Sequence, residues 1–256
     1  MDAAGPDREV VMELARRLDR SEDVVLATAL RTEGSPPCRP GQKLLIGAGG
    51  PLAGTLGCSE LDAQALTDAP GVISGAQPAL RTYDHDLGRV EVHLEPYLGR
   101  PLLVVLGATP VAGWLLRWGA DLGYQTALVE PRAGRVTAEL AALAGTVAGS
   151  PEPGGAGRRA VDAVHTDHDA PEVAAHLAQL LRAGARFVGV MGSARHVGHH
   201  LEELRTLGLG EDEIARVRSP VGIDVGARTP AEIALSILAG LVAARTGREG
   251  GWLDRR

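Results

Sequence analysis

The 256-residue chain is long enough for one or two domains at roughly 100–200 residues each, and 45% apolar with 23% charged residues excludes a wholly disordered polymer. Its 26 basic residues against 32 acidic ones leave a net charge of −6 with no basic block. Only three Trp, three Tyr and one Phe are available for stacking, so nucleic acid is not an expected partner. No run approaches the ~18 apolar residues of a membrane-spanning helix, and no basic amphipathic stretch suits a membrane surface.

In chain order, Val10, Val11, Leu14, Ala15 and Leu18 form a helical stripe over 9–18. Residues 24–30 read as a buried strand, and Gly34, Ser35, Pro36, Pro37, Pro40 and Gly41 then break regular structure. Residues 44–46 and 52–56 flank Gly49-Gly50, a hairpin signal. A weaker helix is expected over 59–69, and 89–95 alternates like an exposed strand. Residues 1–98 are therefore expected to be a small α+β domain.

From residue 99 the pattern changes to apolar strands alternating with helices, which predicts a Rossmann-like α/β domain over 99–256 with a parallel sheet. The strands are expected at 102–106, 125–129, 161–165 and 186–191, and the helices at 110–122, 171–183 and 194–207. The stretch 149–157, rich in Gly and Pro, reads as a flexible surface loop. The last helix has an N-cap in Thr229, Pro230 in the first turn and Glu232 completing a capping box. Apolar residues around most of its circumference suggest burial on more than one side, as against a second subunit.

Several corners carry chemistry. Gly107-Ala108-Thr109-Pro110-Val111-Ala112 follows a strand and opens a helix, as a dinucleotide-binding turn does, and Glu130 lies 23 residues beyond Gly107 at the end of the next strand. Thr109 takes the place of the glycine that lets a pyrophosphate approach, yet it is also a good N-cap. The turn is thus either a ligand corner or merely structural. His165-Thr166-Asp167-His168-Asp169 ends another strand, at the edge where open α/β sheets bind ligands. Two His and two Asp within five residues offer metal ligands, but the preferred reading is a loop whose polar groups cap the next helix, with Asp169 as N-cap, and line a ligand cleft.

Gly192-Ser193 precedes the next helix and offers donors to an anion, with Arg195 adding positive charge. Beyond it His196, His199 and His200 share one helical face, expected to be solvated. Asp224 and Arg228 stand in a glycine-bearing loop before the capped helix: either a binding edge or a plain connector. Cys58 sits between a strand and a helix, where a helix N-terminus favours a thiolate, though an inert buried thiol is equally compatible. Cys38, between prolines, has no such setting. With two cysteines, no CxxC, and residues 1–8 unlike a secretion signal, the expected location is the cytoplasm.

The run Gly222-Ile223-Asp224-Val225-Gly226-Ala227-Arg228-Thr229-Pro230-Ala231-Glu232-Ile233-Ala234-Leu235-Ser236-Ile237 resembles the C-terminal hallmark of the XdhC/CoxI family, the xanthine dehydrogenase accessory factors. The segments 187–193, 167–169 and 107–112 resemble its other Rossmann-domain motifs, and 32–36 with 40–43 its first N-terminal motif. The resemblance implies a chaperone that binds molybdenum cofactor (molybdopterin) and delivers it to a molybdenum hydroxylase of xanthine or carbon monoxide dehydrogenase type. It further implies work beside a cysteine desulfurase and a homodimer. Cys58 and Glu60 resemble the family's Gly-Gly-Cys-Val-Glu motif, which implies Cys58 as a contact to the cofactor's metal. The chain departs from the pattern at Gly57, which stands alone before Cys58, at Asp86-Leu87-Gly88-Arg89, where a Cys-Gly-Gly motif has lost its cysteine, and at Thr109.

The expected function is therefore a cytoplasmic maturation factor for a molybdenum enzyme, more a non-catalytic carrier than an enzyme. The residues expected to touch cofactor are Cys58, Gly107, Thr109, Glu130, Asp167, His168, Gly192, Ser193, Asp224 and Arg228. Two alternatives stand beside it: an NAD(P)-dependent oxidoreductase using 102–130, and an interaction protein that keeps the fold without a ligand.

Overall fold

The computed structural model describes residues 6–151, 160–192 and 194–255. The chain divides into two compact units, one ending at Arg100 and the other starting at Pro101. The first unit contains α1 (Pro6–Asp19), β1 (Val24–Gly34), β2 (Lys43–Gly47), β3 (Gly50–Gly54), α2 (Ser59–Gly75), β4 (Ala79–His85) and β5 (Gly88–Tyr97). Its strands form an antiparallel sheet in the order β3-β2-β1-β5-β4.

Period-two patterning sets the faces of this sheet. Val25, Ala27 and Ala29 of β1 join Val90, Val92 and Leu94 of β5 in a core covered by Leu61, Ala65, Ala69 and Val72 of α2. Val24 and Leu45 face the other way, onto Val10 of α1. The strand over 89–95 thus has one buried face rather than being exposed. The helix expected to stop at 69 runs through Pro70 to Gly75. Burial of Val72, with Ile73 packed beside it, offsets the ~3 kcal/mol that an interior proline costs a helix.

The second unit contains β6 (Leu102–Leu106), α3 (Pro110–Asp121), β7 (Gln125–Val129), α4 (Ala138–Leu143), β8 (Thr146–Ala148), β9 (Val161–His165), α5 (Val173–Arg182), β10 (Phe187–Val190), α6 (Ala194–Thr206), α7 (Glu211–Ile214), β11 (Val217–Arg218) and α8 (Pro230–Thr246). The six strands are parallel in the order β11-β10-β9-β6-β7-β8. Counted from β6, that is the 3-2-1-4-5-6 order of a doubly wound Rossmann sheet, and the order reverses between β6 and β9. Leu102, Val104 and Leu106 point to the face covered by α5 and α6, whereas Leu103 and Val105 point to the face covered by α3 and α8.

On α8, Ala234, Ile237, Leu238 and Leu241 are buried on that face, while Leu235 stands 56% exposed. The expected caps form: Thr229 accepts from the Glu232 amide, and Glu232 accepts from the Thr229 amide. Most of the Gly/Pro-rich stretch 149–157 lies outside the described residues. No helix among the described residues is long and apolar enough to cross a membrane.

Candidate functional site

Because all six strands are parallel, the turns after β6, β7, β9 and β10 emerge along one edge of the sheet, and there the chemistry-bearing residues divide into two groups. The first surrounds the β6/β9 reversal. Gly107 has φ +92, and a Cβ on it would lie 2.8 Å from Asp167 Cβ and 3.2 Å from Thr166 Oγ1. The β6 turn is therefore packed directly against the β9 turn. Thr109 is the N-cap of α3, its Oγ1 accepting from the Ala112 amide at 3.3 Å and donating to Thr166 Oγ1 at 2.9 Å. Thr166 in turn donates to the Leu106 and Gly107 carbonyls at 3.0 and 2.9 Å.

Glu130 follows β7, and its side chain is fully enclosed. It accepts the Ala108 amide at 3.0 Å and is gripped by Arg132, with Nε at 2.6 Å from Oε1 and Nη2 at 2.9 Å from Oε2. Arg132 Nη2 also reaches Asp167 Oδ2 at 2.8 Å, and Arg135 lies 3.6 Å from Glu130 and 3.3 Å from Asp167. Burial pushes the Glu130 carboxyl upward, but hydrogen bonds from Arg132 and from the Ala108 and Arg132 amides outweigh it and hold the group down at about 2. Asp167 is lowered as well, burial again being outweighed by Arg132 and then Arg135. Two carboxylates and two guanidinium groups thus form a charge-balanced cluster at the rim.

Arg132 and Arg135 are the residues that sequence reading missed. Arginine is scattered along the whole chain, so nothing in spacing separates these two. The usable signal is their position just past a strand end that carries a buried acid.

Beneath the cluster lies His165, the last residue of β9. Among the described residues neither imidazole nitrogen has a partner, and its ring stacks on that of His176 of α5 with centroids 5.7 Å apart. Burial, reinforced by His176, pushes its pKa down to about 3, so the ring is neutral. Asp169 does not cap the next helix: it is 81% exposed, and the N-cap of α5 is Glu172. Two successive turns, Ala170 N–H to Asp167 O and Val173 N–H to Ala170 O, carry the chain past Asp169 before the helix begins. His200 is not solvated either. Its side chain is 12% exposed, with Nε2 3.0 Å from the His168 carbonyl oxygen, while His199 remains 75% exposed.

The second group lies around Gly192. A Cβ on Gly192 would sit 3.4 Å from His168 Cβ, so the β9 and β10 turns abut. Gly192 and Met191 also line a cavity of about 540 Å³ with the loop segment 220–227, Ile233 and Ser236. Asp224 lines this cavity; its Oδ1 accepts the Gly226 amide at 3.2 Å. Arg228 is exposed, its amide donating to Glu232. Ser193 lies outside the described residues.

Cys58 belongs to the first unit, where it is the N-cap of α2 and makes no side-chain cap bond. It is half-buried against the same core that holds the buried Cys38, whose thiol burial pushes up. The setting of Cys38 was invisible in its proline-flanked sequence. It follows from the backbone of Gly57, which packs against Pro37 and Cys38.

Among the described residues no cluster of three or more His, Cys, Asp or Glu side chains is arranged to hold a metal ion.

In comparison with curated proteins, the chain is 26% identical over 260 residues to the uncharacterized protein YqeB of Escherichia coli (strain K12), covering 94% of this chain and 47% of YqeB. It thus spans about half the length of that relative. A solved structure described as a xanthine dehydrogenase from Bacillus halodurans aligns with a TM-score of 0.49 at 17% identity, over 94% of this chain and 96% of that one. A family model for the XdhC Rossmann domain matches residues 103–241, and one for the XdhC and CoxI family matches residues 17–84. With the parallel-sheet unit covered by one model and much of the amino-terminal unit by the other, the chain belongs to the XdhC and CoxI family.

Proposed function

We propose that the chain is a carrier for molybdenum cofactor that hands its cargo to a molybdenum hydroxylase of the xanthine or carbon monoxide dehydrogenase type. The observation that carries this reading is the grouping of the β6, β7, β9 and β10 turns on the carboxyl edge of one Rossmann sheet, in a chain of this family. Molybdopterin brings a phosphate, and Arg132 and Arg135, 31% and 42% exposed, present guanidinium edges at that rim. Within the first unit, taken by itself, the Cys58 thiol has the chemistry of a soft metal ligand. Gly107, Thr109, Glu130 and Asp167 act here as the scaffold that holds the arginines, while His168, Gly192, Asp224 and Arg228 border the remaining rim. A cysteine desulfurase and a second copy of the chain, meeting through the exposed side of α8, complete the proposed set of partners, in the cytoplasm.

A nicotinamide-dependent activity is less well supported. The ribose-binding acid of such a site must be reachable, whereas the Glu130 carboxylate is enclosed and already accepts four hydrogen bonds. Equilibrium binding of the purified chain to molybdenum cofactor and to NAD(H) tests the choice, with cofactor binding expected. Tight NAD(H) binding without cofactor binding overturns the carrier reading, and binding of neither leaves an interaction protein. Cys58→Ser is expected to weaken cofactor retention while leaving the melting temperature nearly unchanged. Equal retention by the mutant removes the thiol from the site.

A further inference from the structure

We propose that the cavity between the β10 turn and the 220–227 loop is the subsite for the flat, uncharged ring of the cargo, a 2-amino-4-oxopyrimidine edge as in a pterin, with Asp224 reading the amino side. The inference rests on the carrier reading and assigns this corner to the ring rather than to the phosphate.

The volume, about 540 Å³, is that of a small-molecule site. Among the described residues its lining includes no lysine, arginine or histidine, and its one charged side chain is the carboxylate of Asp224. Among the described lining residues a phosphate therefore meets a negative side chain and no positive one. The walls are Met191, Val221, Ile223 and Ile233, apolar surfaces suited to the faces of a ring, the methionine adapting readily to an aromatic edge.

The polar complement comes from the loop itself. Among the described residues, the amides of Gly222, Asp224, Val225 and Ala227 donate to no protein acceptor, which leaves donors for a ring carbonyl. Asp224 Oδ1 is engaged by the Gly226 amide, and Oδ2 remains to accept from an amino group or ring N–H.

The loop is also held in place. Ser236 Oγ donates to the Ile223 carbonyl at 2.7 Å, the Ile223 amide donates to the Ser236 carbonyl at 3.2 Å, and the Val221 amide donates to the Val190 carbonyl at 3.1 Å. Gly222, at φ +112, lies so close that a Cβ there would stand 2.4 Å from Ser236 Oγ. A loop fixed this way loses little entropy when a ring enters.

The test is a fluorescence titration of the full chain with pterin, with 4-oxopteridine, which lacks the amino group, as comparator and inorganic phosphate as competitor. Pterin is expected to bind at least tenfold more tightly than 4-oxopteridine, and equimolar phosphate is expected not to displace it. Asp224→Asn keeps an acceptor for the Gly226 amide but places an NH₂ donor against the ligand's own donors. It is expected to abolish the preference for pterin at an unchanged melting temperature. Equal binding of the two pteridines, an unaltered preference in the variant, or displacement by phosphate overturns the proposal. Retention of intact molybdenum cofactor, measured in parallel, separates the two readings. If cofactor is retained while pterin discrimination fails, the ring lies elsewhere and the carrier stands; if neither binds, both fall.

Discussion

The two corners of the sheet edge use the same raw material differently. At the β6/β9 reversal the polar groups of the turns are tied to one another: Thr109 to Thr166, Ala108 to Glu130, and Glu130 and Asp167 to Arg132 and Arg135. Around the 220–227 loop, by contrast, the residues line a cavity and, among the described residues, several of their amides have no protein acceptor. Both corners contain glycine, an acid and a helix start, so a motif alone does not distinguish them. The difference is close packing: the first corner brings two turns into contact and must satisfy its groups internally, whereas the second is braced from one side by α8 and leaves room in front.

The contrast breaks most readily at Gly107. Gly107→Ala forces a side chain into a positive-φ position and against Asp167, at a cost of about 3 kcal/mol. Thermal unfolding is expected to shift down by roughly 10 °C; an unchanged midpoint would show that the turn relaxes freely. Arg132→Ala follows, at about 2 kcal/mol, because it leaves the enclosed Glu130 carboxylate without its main partner. Folding holds Glu130 at about 2 against an ordinary 4.5, so its contribution is present above pH 4.5 and lost as pH falls toward 2. In Arg132→Ala the folded value moves up toward 4.5, so the stability lost between pH 4.5 and 2 is expected to shrink, as read by denaturant unfolding across the acid range.

His165 sharpens the picture in a different pH window. Its folded value of about 3 lies below the ordinary 6.5, so the unfolded chain takes up a proton that the folded chain refuses. Stability is complete above pH 6.5 and falls by at most about 1.4 kcal/mol per pH unit below it. The groups acting on His165 besides burial are His176, Asp167, His200 and Arg132. His165→Leu is expected to flatten the slope between pH 6.5 and 4.5, and a slope identical to wild type would assign it to other groups. The smallest effect is expected at the open corner. Val225→Ala, at a side chain 57% exposed, is expected to change unfolding free energy by less than about 0.5 kcal/mol.

Much of the sheet was legible because its strands are short apolar runs separated by amphipathic helices. Residues 102–106, 125–129 and 161–165 are strands over those bounds, and the helices expected at 110–122 and 194–207 end within one residue of the prediction. The missed elements, α4, α7, β8 and β11, span six residues or fewer, too short for two full periods of their pattern. β4 was missed because Leu80 and Arg81 on it are exposed and only Tyr83 is buried. For the site, the cap roles of Thr109 and Thr229 follow from local spacing and could be read directly. The fate of Glu130, the burial of His200 and the nearness of Cys38 to Cys58 depend on contacts between distant segments, which a single sequence does not encode in any periodic form.

The four-membered cluster of Glu130, Asp167, Arg132 and Arg135 has a consequence for kinetics. Two positive and two negative groups within a few ångströms cancel at long range, and the chain as a whole carries −6. Such a mouth casts no attractive field beyond about a Debye length, ~8 Å in physiological salt. An anionic guest is therefore not drawn in from afar. For an anionic guest of the proposed kind the net −6 leaves only a repulsion that salt screens, so its association rate should rise rather than fall with ionic strength.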